Sequence, residues 1–317
     1  MQRPVAPWQP ALQALAQRTG DVIWWVALSG GADSTALLRS VLDLRPGRVR
    51  ALHVHHGLQA AADDFVRCCQ DLCHAQQVPL QVLRVQAGHR PGQSPEDAAR
   101  LARRQALAQA AGPGAHVLLA QHADDQLETL LLALTRGAGP DGLAAMPATQ
   151  ERLGCFWHRP LLETPAAALR DWLRALGQPW IEDPSNQHLA HPRNRLRHQV
   201  IPALVEAFPG IRQTAARSAR LAAQSARIVR EQAAHDLLQT GVPPRIAALQ
   251  QLTPERQAQA LRLWLRQAHQ TTPSEAQLIA LQTQLQACRT RGHRIDLRVG
   301  SGQLRREGDT LRWQPQD

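Results

Sequence analysis

In the stretch "VALSGGADSTALL", six residues lie between an apolar run and a segment of helical pattern: Ser29, Gly30, Gly31, Ala32, Asp33 and Ser34. Gly30 and Gly31 let the backbone turn tightly and present its N–H groups. Ser29 and Ser34 add hydroxyl donors, and a helix opening near Asp33 points its positive end into the loop. Such a loop can hold a pyrophosphate. Asp33 would repel a bare phosphate, so its presence makes sense if it holds Mg²⁺ or positions a metal-bound nucleotide. All 36 basic residues are arginine. A lysine-bearing phosphate loop of the G-K-[ST] type and a Schiff-base lysine are therefore excluded.

A second group follows in "AQHADDQLETLLLALTRGAG". On a helix, Asp124 and Glu128 are i, i+4 and Asp125 and Glu128 are i, i+3, so the three carboxylates converge. Acidic residues suit a helix N-terminus, but that does not account for His122 and Gln126 beside them. The cluster can hold an ammonium group or a Mg²⁺ ion. Glu96, Arg100 and Arg103 (or Arg104) share one face of another helical stretch. Arg136, beside Gly137 and Gly139, either closes the site after its helix or contacts substrate. Arg193, Asn194 and Arg197 form a basic loop whose guanidinium forks suit phosphates and stacked bases alike. His53, His55 and His56 have the spacing of metal ligands on a strand, yet no nearby Cys or acidic residue completes a set. Cys68, Cys69 and Cys73 lack a second cysteine pair and read as core.

Strands and helices alternate around these groups. Apolar runs at 21–28, 48–54, 79–85 and 115–120 read as strands. Helical patterns fall at about 33–44, 60–77, 95–111 and 124–135. That alternation indicates a Rossmann-like α/β domain, its parallel sheet covered on both faces, with ligands beyond the carboxyl ends of the strands. The expected organisation is a catalytic domain over 1–182, a Pro-, Asn- and His-rich linker over 183–210, and a second, mainly helical domain over 211–317 ending in a small hairpin. Residues 1–182 carry 17 Arg against 16 Asp+Glu, and residues 183–317 carry 19 against 10. Nearly all the net charge of +10 thus lies in the second part, as expected of a module that grips a polyanion. No apolar run spans a membrane, no secretory signal is evident, and five cysteines do not suggest a disulfide framework. A cytoplasmic protein is the expectation.

The S-G-G-x-D-S loop resembles that of the PP-loop superfamily, the N-type ATP-pyrophosphatases, whose members split ATP into AMP and pyrophosphate to adenylate a carbonyl-type oxygen. Together with "HVHHGL", "PEDAARLARRQAL", the Ala120–Met146 stretch and "WIEDPSNQHLAHPRNRLR", the chain over about 20–205 resembles the tRNA(Ile)-lysidine synthases. The resemblance implies an adenine nucleotide alpha hydrolase-like fold, ATP and Mg²⁺ as cofactors, and free L-lysine and tRNA(Ile) with a CAU anticodon as partners. It places adenosine near His53 and His55 and phosphate at Ser29–Ser34. It gives Asp33, His122, Asp124, Asp125 and Glu128 catalytic roles, and substrate contacts to Arg100, Arg103, Arg136, Arg193, Asn194 and Arg197. Adenylation would activate the wobble cytidine, and the lysine amine would then displace AMP. Two positions depart from the family pattern. Arg104 stands where tyrosine is frequent, and Ala120-Gln121-His122 stands for Gly-His-His. The chain stops where shorter members stop. A second copy of the chain remains open as a partner. The alternatives are a PP-loop tRNA thiolase, an amidotransferase-linked synthetase and a non-catalytic RNA-binding relative.

Overall fold

The computed structural model describes residues 4–55, 62–85, 95–183, 189–290 and 292–315. The chain divides into two compact units, Met1–Leu221 and Ala222–Asp317. The first is built on a six-stranded sheet: β1 (Trp24–Ala27), β2 (Val49–His55), β3 (Leu80–Arg84), β4 (His116–Leu118), β5 (Thr149–Arg152) and β6 (Cys155–His158), in the order β3-β2-β1-β4-β6-β5. All neighbours pair in parallel except β5, which runs antiparallel to β6 at the edge. β1 is thus the strand from which the order runs both ways, and the crevice between β1 and β4 is where ligands of such sheets sit.

The helices of this unit are α1 (Gln9–Thr19), α2 (Ala32–Leu44), α3 (Ala62–Ala75), α4 (Pro95–Ala111), α5 (Ala123–Thr135), α6 (Pro140–Leu143), α7 (Ala166–Ala175), α8 (Pro192–Arg195) and α9 (Ile201–Ala207), followed by the start of α10 (Ile211–Thr240). Trp24, Val26 and Leu28 bury against Leu37, Leu38 and Val41 of α2 and Leu169 and Leu173 of α7. Ala27, Leu52, Val117 and Trp157 pack with Leu107 in a second cluster. Each buried Val or Leu among them contributes roughly 1.5–3 kcal/mol by leaving water. Trp8 adds an Nε1–H bond of 2.9 Å to the Ser40 hydroxyl.

The expected four strands and the helices between them are present, with ends shifted by a few residues. α1, α7 and the β5–β6 hairpin go beyond the elements expected from the sequence. The expected linker is also more structured. Residues 189–210 lie inside the first unit and carry α8, a π-helical turn at Leu196–Val200, and α9. They are tied in by apolar contacts of Ile201 and Val205 with Leu127 and Leu130. A compositional break in Pro and Asn does not report those contacts.

The second unit has its own core. Leu261, Trp264 and Leu265 of α12 (Pro254–His269) pack with Leu278, Leu281 and Leu285 of α13 (Glu275–Ala287), together with Val299, Leu304 and Leu311. A short helix, α11 (Ile246–Leu249), precedes them. In place of a single hairpin the chain forms a three-stranded antiparallel meander, β7 (Asp296–Val299), β8 (Gly302–Glu307) and β9 (Thr310–Pro315). Among the described residues no helix is long and apolar enough to cross a membrane.

Candidate active site

Gly31 is the N-cap of α2 and offers no side chain to cap it, so the first N–H groups of the helix have no intrahelical partner. The loop before it is preorganised by its serines. Ser34 Oγ accepts from the Ser29 N–H at 3.1 Å and donates to the Gly31 carbonyl at 3.1 Å, and the two hydroxyls are 3.0 Å apart. Gly30 has φ +88°, and a Cβ there would meet Cys69 Sγ at 3.3 Å and Ile181 Cγ2 at 3.4 Å. The glycine is required by both conformation and space.

Across the crevice, His122 caps α5. Its Nδ1 accepts from the Asp125 N–H at 3.3 Å, and Asp125 Oδ2 accepts from the His122 N–H at 3.1 Å. In the neutral ring Nδ1 accepts, which leaves the proton on Nε2, and Nε2 faces Asp33 Oδ2 at 3.4 Å. The imidazole is buried. Burial alone would lower its pKa, but the Asp33 hydrogen bond and the charges of Asp125, Asp33 and Asp124 outweigh it and raise the ring above its ordinary value. Burial would likewise raise Asp33, yet His122, Arg170 and Arg197 hold its carboxyl below the usual range. Asp33 Oδ1 is buried with no hydrogen-bond partner among the described residues.

The three carboxylates of α5 do converge, and two guanidinium groups meet them. Arg197, on the π-helical turn, donates from Nε to Glu128 Oε1 at 2.7 Å, from Nη2 to Glu128 Oε2 at 3.1 Å and to Asp125 Oδ1 at 3.3 Å. Arg212 Nε donates to Asp124 Oδ1 at 2.6 Å, while Asp124 Oδ2 accepts from the Ala166 N–H at 2.9 Å. Glu128 is fully buried (0% exposed). Burial pushes its carboxyl up, and Arg197 pulls against that. Arg197 therefore faces the acidic cluster in this structure. Arg193 approaches Thr129 Oγ1 at 3.5 Å from the same segment, and Asn194 lies between them on α8. Asp124, Glu128, Arg197 and Arg212 line a cavity of about 430 Å³.

A second cavity, of about 210 Å³, joins Ser29, Asp33 and Ser34 to Arg100, Arg103 and Arg104 of α4, and to Gln121 and Asp125. The two departures from the family pattern, Arg104 and Gln121, thus line one space. Burial and like-charge neighbours lower the pKa of both Arg103 and Arg104. Other expected residues lie elsewhere. His53 is buried with Nδ1 2.9 Å from the Leu28 carbonyl and 3.3 Å from Cys69 Sγ, and burial lowers its pKa. His55 has Nε2 3.3 Å from Asp63 Oδ1. Neither histidine is among the residues lining the two cavities. Arg136 is exposed at the C-terminus of α5, a helix length of about 20 Å from Asp124. His56 and the Glu96 side chain fall outside what the structure describes. Among the described residues no group of three His, Cys, Asp or Glu could hold a metal ion.

Residues 6–204 match the PP-loop domain family, and residues 245–312 match the TilS substrate binding domain. A tRNA(Ile)-lysidine synthase of Polaromonas naphthalenivorans is 51% identical over 98% of this chain and 97% of its own length. The chain belongs to the tRNA(Ile)-lysidine synthase family. Another tRNA(Ile)-lysidine synthase, from Escherichia coli O157:H7, is 40% identical over 91% of this chain and 68% of its own length. In fold the chain is similar to a U34-tRNA thiolase from Methanococcus maripaludis solved with its [4Fe-4S] cluster, at a TM-score of 0.58 and 14% identity, covering 68% of this chain and 78% of that one.

Three members of the site were missed in the sequence: Arg159, Arg170 and Arg212. Each is an isolated arginine in a helical or turn context, and its role depends on contacts across 38 or more positions, as between Arg159 and Gln121 or Arg212 and Asp124. Only the excess of arginine over lysine hinted that guanidinium groups would carry the positive charge. Cys69, Cys73 and Cys155 are buried free thiols in the sheet cores, and burial pushes Cys73 up to about 11.

Proposed function

We propose that the chain ligates free lysine to C2 of the wobble cytidine of tRNA(Ile) with a CAU anticodon, through an adenylated cytidine. The observation that carries this reading is the joining of an uncapped phosphate loop, an arginine-lined cavity and a buried acidic cluster within one unit whose family is that of tRNA(Ile)-lysidine synthases. In the first step, O2 of the cytidine attacks the α-phosphorus of ATP and pyrophosphate leaves. In the second, the ε-ammonium of lysine gives up one proton and the free amine attacks C2. AMP leaves as the C2–O bond breaks, and the new C2–N nitrogen loses one further proton and keeps one.

The residues fit those roles. The backbone N–H groups and hydroxyls of Ser29–Ser34 suit pyrophosphate oxygens. The orphaned, buried Asp33 Oδ1 is a hard oxygen donor of the kind Mg²⁺ prefers. Mg²⁺ held there would neutralise charge on the departing pyrophosphate. His122 orients Asp33 from behind. Asp125 and Glu128 suit an incoming ammonium, which must displace Arg197 from them or share them with it. Glu128, its pKa raised by burial, is suited to take the proton the amine must lose. The basic second unit, Arg193 and Asn194 suit the tRNA, while Arg197, turned to the acidic cluster, suits the ordering of that cluster. The single-stranded wobble base can leave its stack at low cost. The buried thiols do not favour the thiolase reading.

The test is incorporation of labelled lysine into unmodified tRNA(Ile) with a CAU anticodon, with ATP and Mg²⁺ present. The elongator methionine tRNA serves as control. Lysine entering the isoleucine tRNA alone, and lost at least 100-fold in Asp33→Ala, is the expected result. AMP and pyrophosphate formed without lysine transfer would overturn the nucleophile. tRNA binding with no ATP turnover would overturn catalysis altogether.

A further inference from the structure

Arg159 is buried at 3% exposure, directly after β6, and makes no ion pair with a carboxylate among the described residues. Its guanidinium donates from Nε to Gln121 Oε1 at 3.1 Å and from Nη1 to the Pro147 carbonyl at 2.8 Å. Its backbone N–H donates to the Ala148 carbonyl at 2.8 Å, and the neighbouring Leu119 N–H bonds the His158 carbonyl at 2.8 Å. These contacts bind the carboxyl ends of β4 and β6 together where the phosphate-loop cavity opens. The segment before β5 is fixed a second time by Gln126. Its amide both donates to the Met146 carbonyl and accepts from the Met146 N–H, each at 3.0 Å.

Arginine has no acceptor atom, so the amide oxygen of Gln121 must be the end that faces Arg159. The amide nitrogen is then the end left over, and Gln121 lines the cavity with Ser29, Ser34, Arg103 and Arg104. Burial, together with the like charges of Arg104 and Arg100, brings Arg159 down to about 10. Arg103, Arg104 and Arg159 are thus part-buried or buried cations with no carboxylate partner among the described residues. Such charges are costly unless an anion answers them. The carboxylates lining the same cavity, Asp33 and Asp125, are already met by His122 and Arg197.

We infer that Arg159 is a positioning residue that holds Gln121 as a hydrogen-bond donor to a phosphate oxygen bound between Ser29–Ser34 and Arg104. The inference deepens the proposed function by adding a phosphate contact to its site. The phosphate belongs either to the nucleotide or to the RNA backbone, and direct binding separates the two.

The experiment measures affinity of the full chain for ATP·Mg²⁺ without tRNA by calorimetry, and for tRNA without ATP by filter binding. Thermal midpoints are recorded alongside. Gln121→Glu turns the donor into an anion that still ion-pairs with Arg159. It is expected to hold or raise the thermal midpoint while weakening one ligand at least tenfold. Gln121→Leu, which removes the donor without adding charge, should weaken the same ligand three- to tenfold. Arg159→Lys, which keeps the charge but not the fork, should weaken it about threefold. A loss confined to ATP assigns the phosphate to the nucleotide, and a loss confined to tRNA assigns it to the RNA. Wild-type affinity in both arms for Gln121→Glu and Gln121→Leu would overturn the inference. So would a Gln121→Glu chain that fails to fold, since Arg159 should welcome the carboxylate. Binding that follows the expected pattern without any lysine transfer would leave the inference standing and remove the proposed reaction.

Discussion

Two groups of charges flank the N-terminus of α5, and they are organised in opposite ways. On one side every carboxylate is answered: Glu128 and Asp125 by Arg197, Asp124 by Arg212. On the other, Arg103, Arg104 and Arg159 crowd together with no carboxylate of their own among the described residues. The first group is complete within the chain, so a cationic ligand must compete with an internal guanidinium to enter it. The second is incomplete, and a phosphate would complete it. Removing a member should therefore damage folding on the first side and ligand affinity on the second.

The largest effect is expected at Glu128. Glu128→Gln removes the fully buried carboxylate that Arg197 grips and leaves it Asp125 alone. Breaking a buried pair costs about 3–5 kcal/mol, and the partial exposure of Arg197, 35%, screens part of that, so a loss of about 2–3 kcal/mol in chemical denaturation is expected. A variant as stable as wild type would mean that the ion pair is dispensable and the two sides do not differ as described. A smaller effect should appear at His122. The folded-state pKa of this ring is raised, so its contribution to stability is complete below the unfolded value of 6.5 and is lost as the pH rises through the folded one. His122→Asn keeps an N-cap and removes the titration. The stability gap between wild type and variant, followed by thermal unfolding, should be widest at about pH 6 and narrow towards pH 9. A gap independent of pH would remove the three carboxylates as its cause. The smallest effect belongs to Arg136. Exposed and a helix length from the cluster, Arg136→Ala should change stability by less than about 0.5 kcal/mol and ATP affinity by less than twofold. A larger loss of ATP binding would bring this arginine into a site from which the fold separates it.

Much of this arrangement could be read in the sequence, because it is local. The phosphate loop sits at one strand–helix junction. The convergence of Asp124, Asp125 and Glu128 follows from helical spacing alone, and the alternation of strands and helices gives the parallel sheet. What was not legible depends on distant contacts. The segment holding Arg193 and Arg197 looked like a linker, since Pro, Asn and His carry no apolar period. It folds because Ile201 and Val205 find Leu127 and Leu130 far away in sequence. The turn that carries Arg197 is π-helical, a geometry with no spacing signature. Arg159 lies in a short strand exit, "HRPLL", where nothing local distinguishes a buried clamp from a surface arginine. β5 and β6 are four residues each, too short for an alternating pattern to stand out.

The two helices that open into the crevice also differ in their ends: α5 is capped by the His122 side chain, whereas α2 has Gly31 at its N-cap position and no side-chain cap. Seen by an approaching ligand, the slot is polarised, with a pole lacking a side-chain cap beside Arg103 and Arg104 on the β1 side and a capped, carboxylate-rich one across from it. A polyanion diffusing in would be turned phosphate-first before any contact forms, raising the fraction of productive collisions. The association rate should then fall with ionic strength over the range in which the screening length shrinks below about 10 Å, while dissociation, governed by short-range hydrogen bonds, changes little.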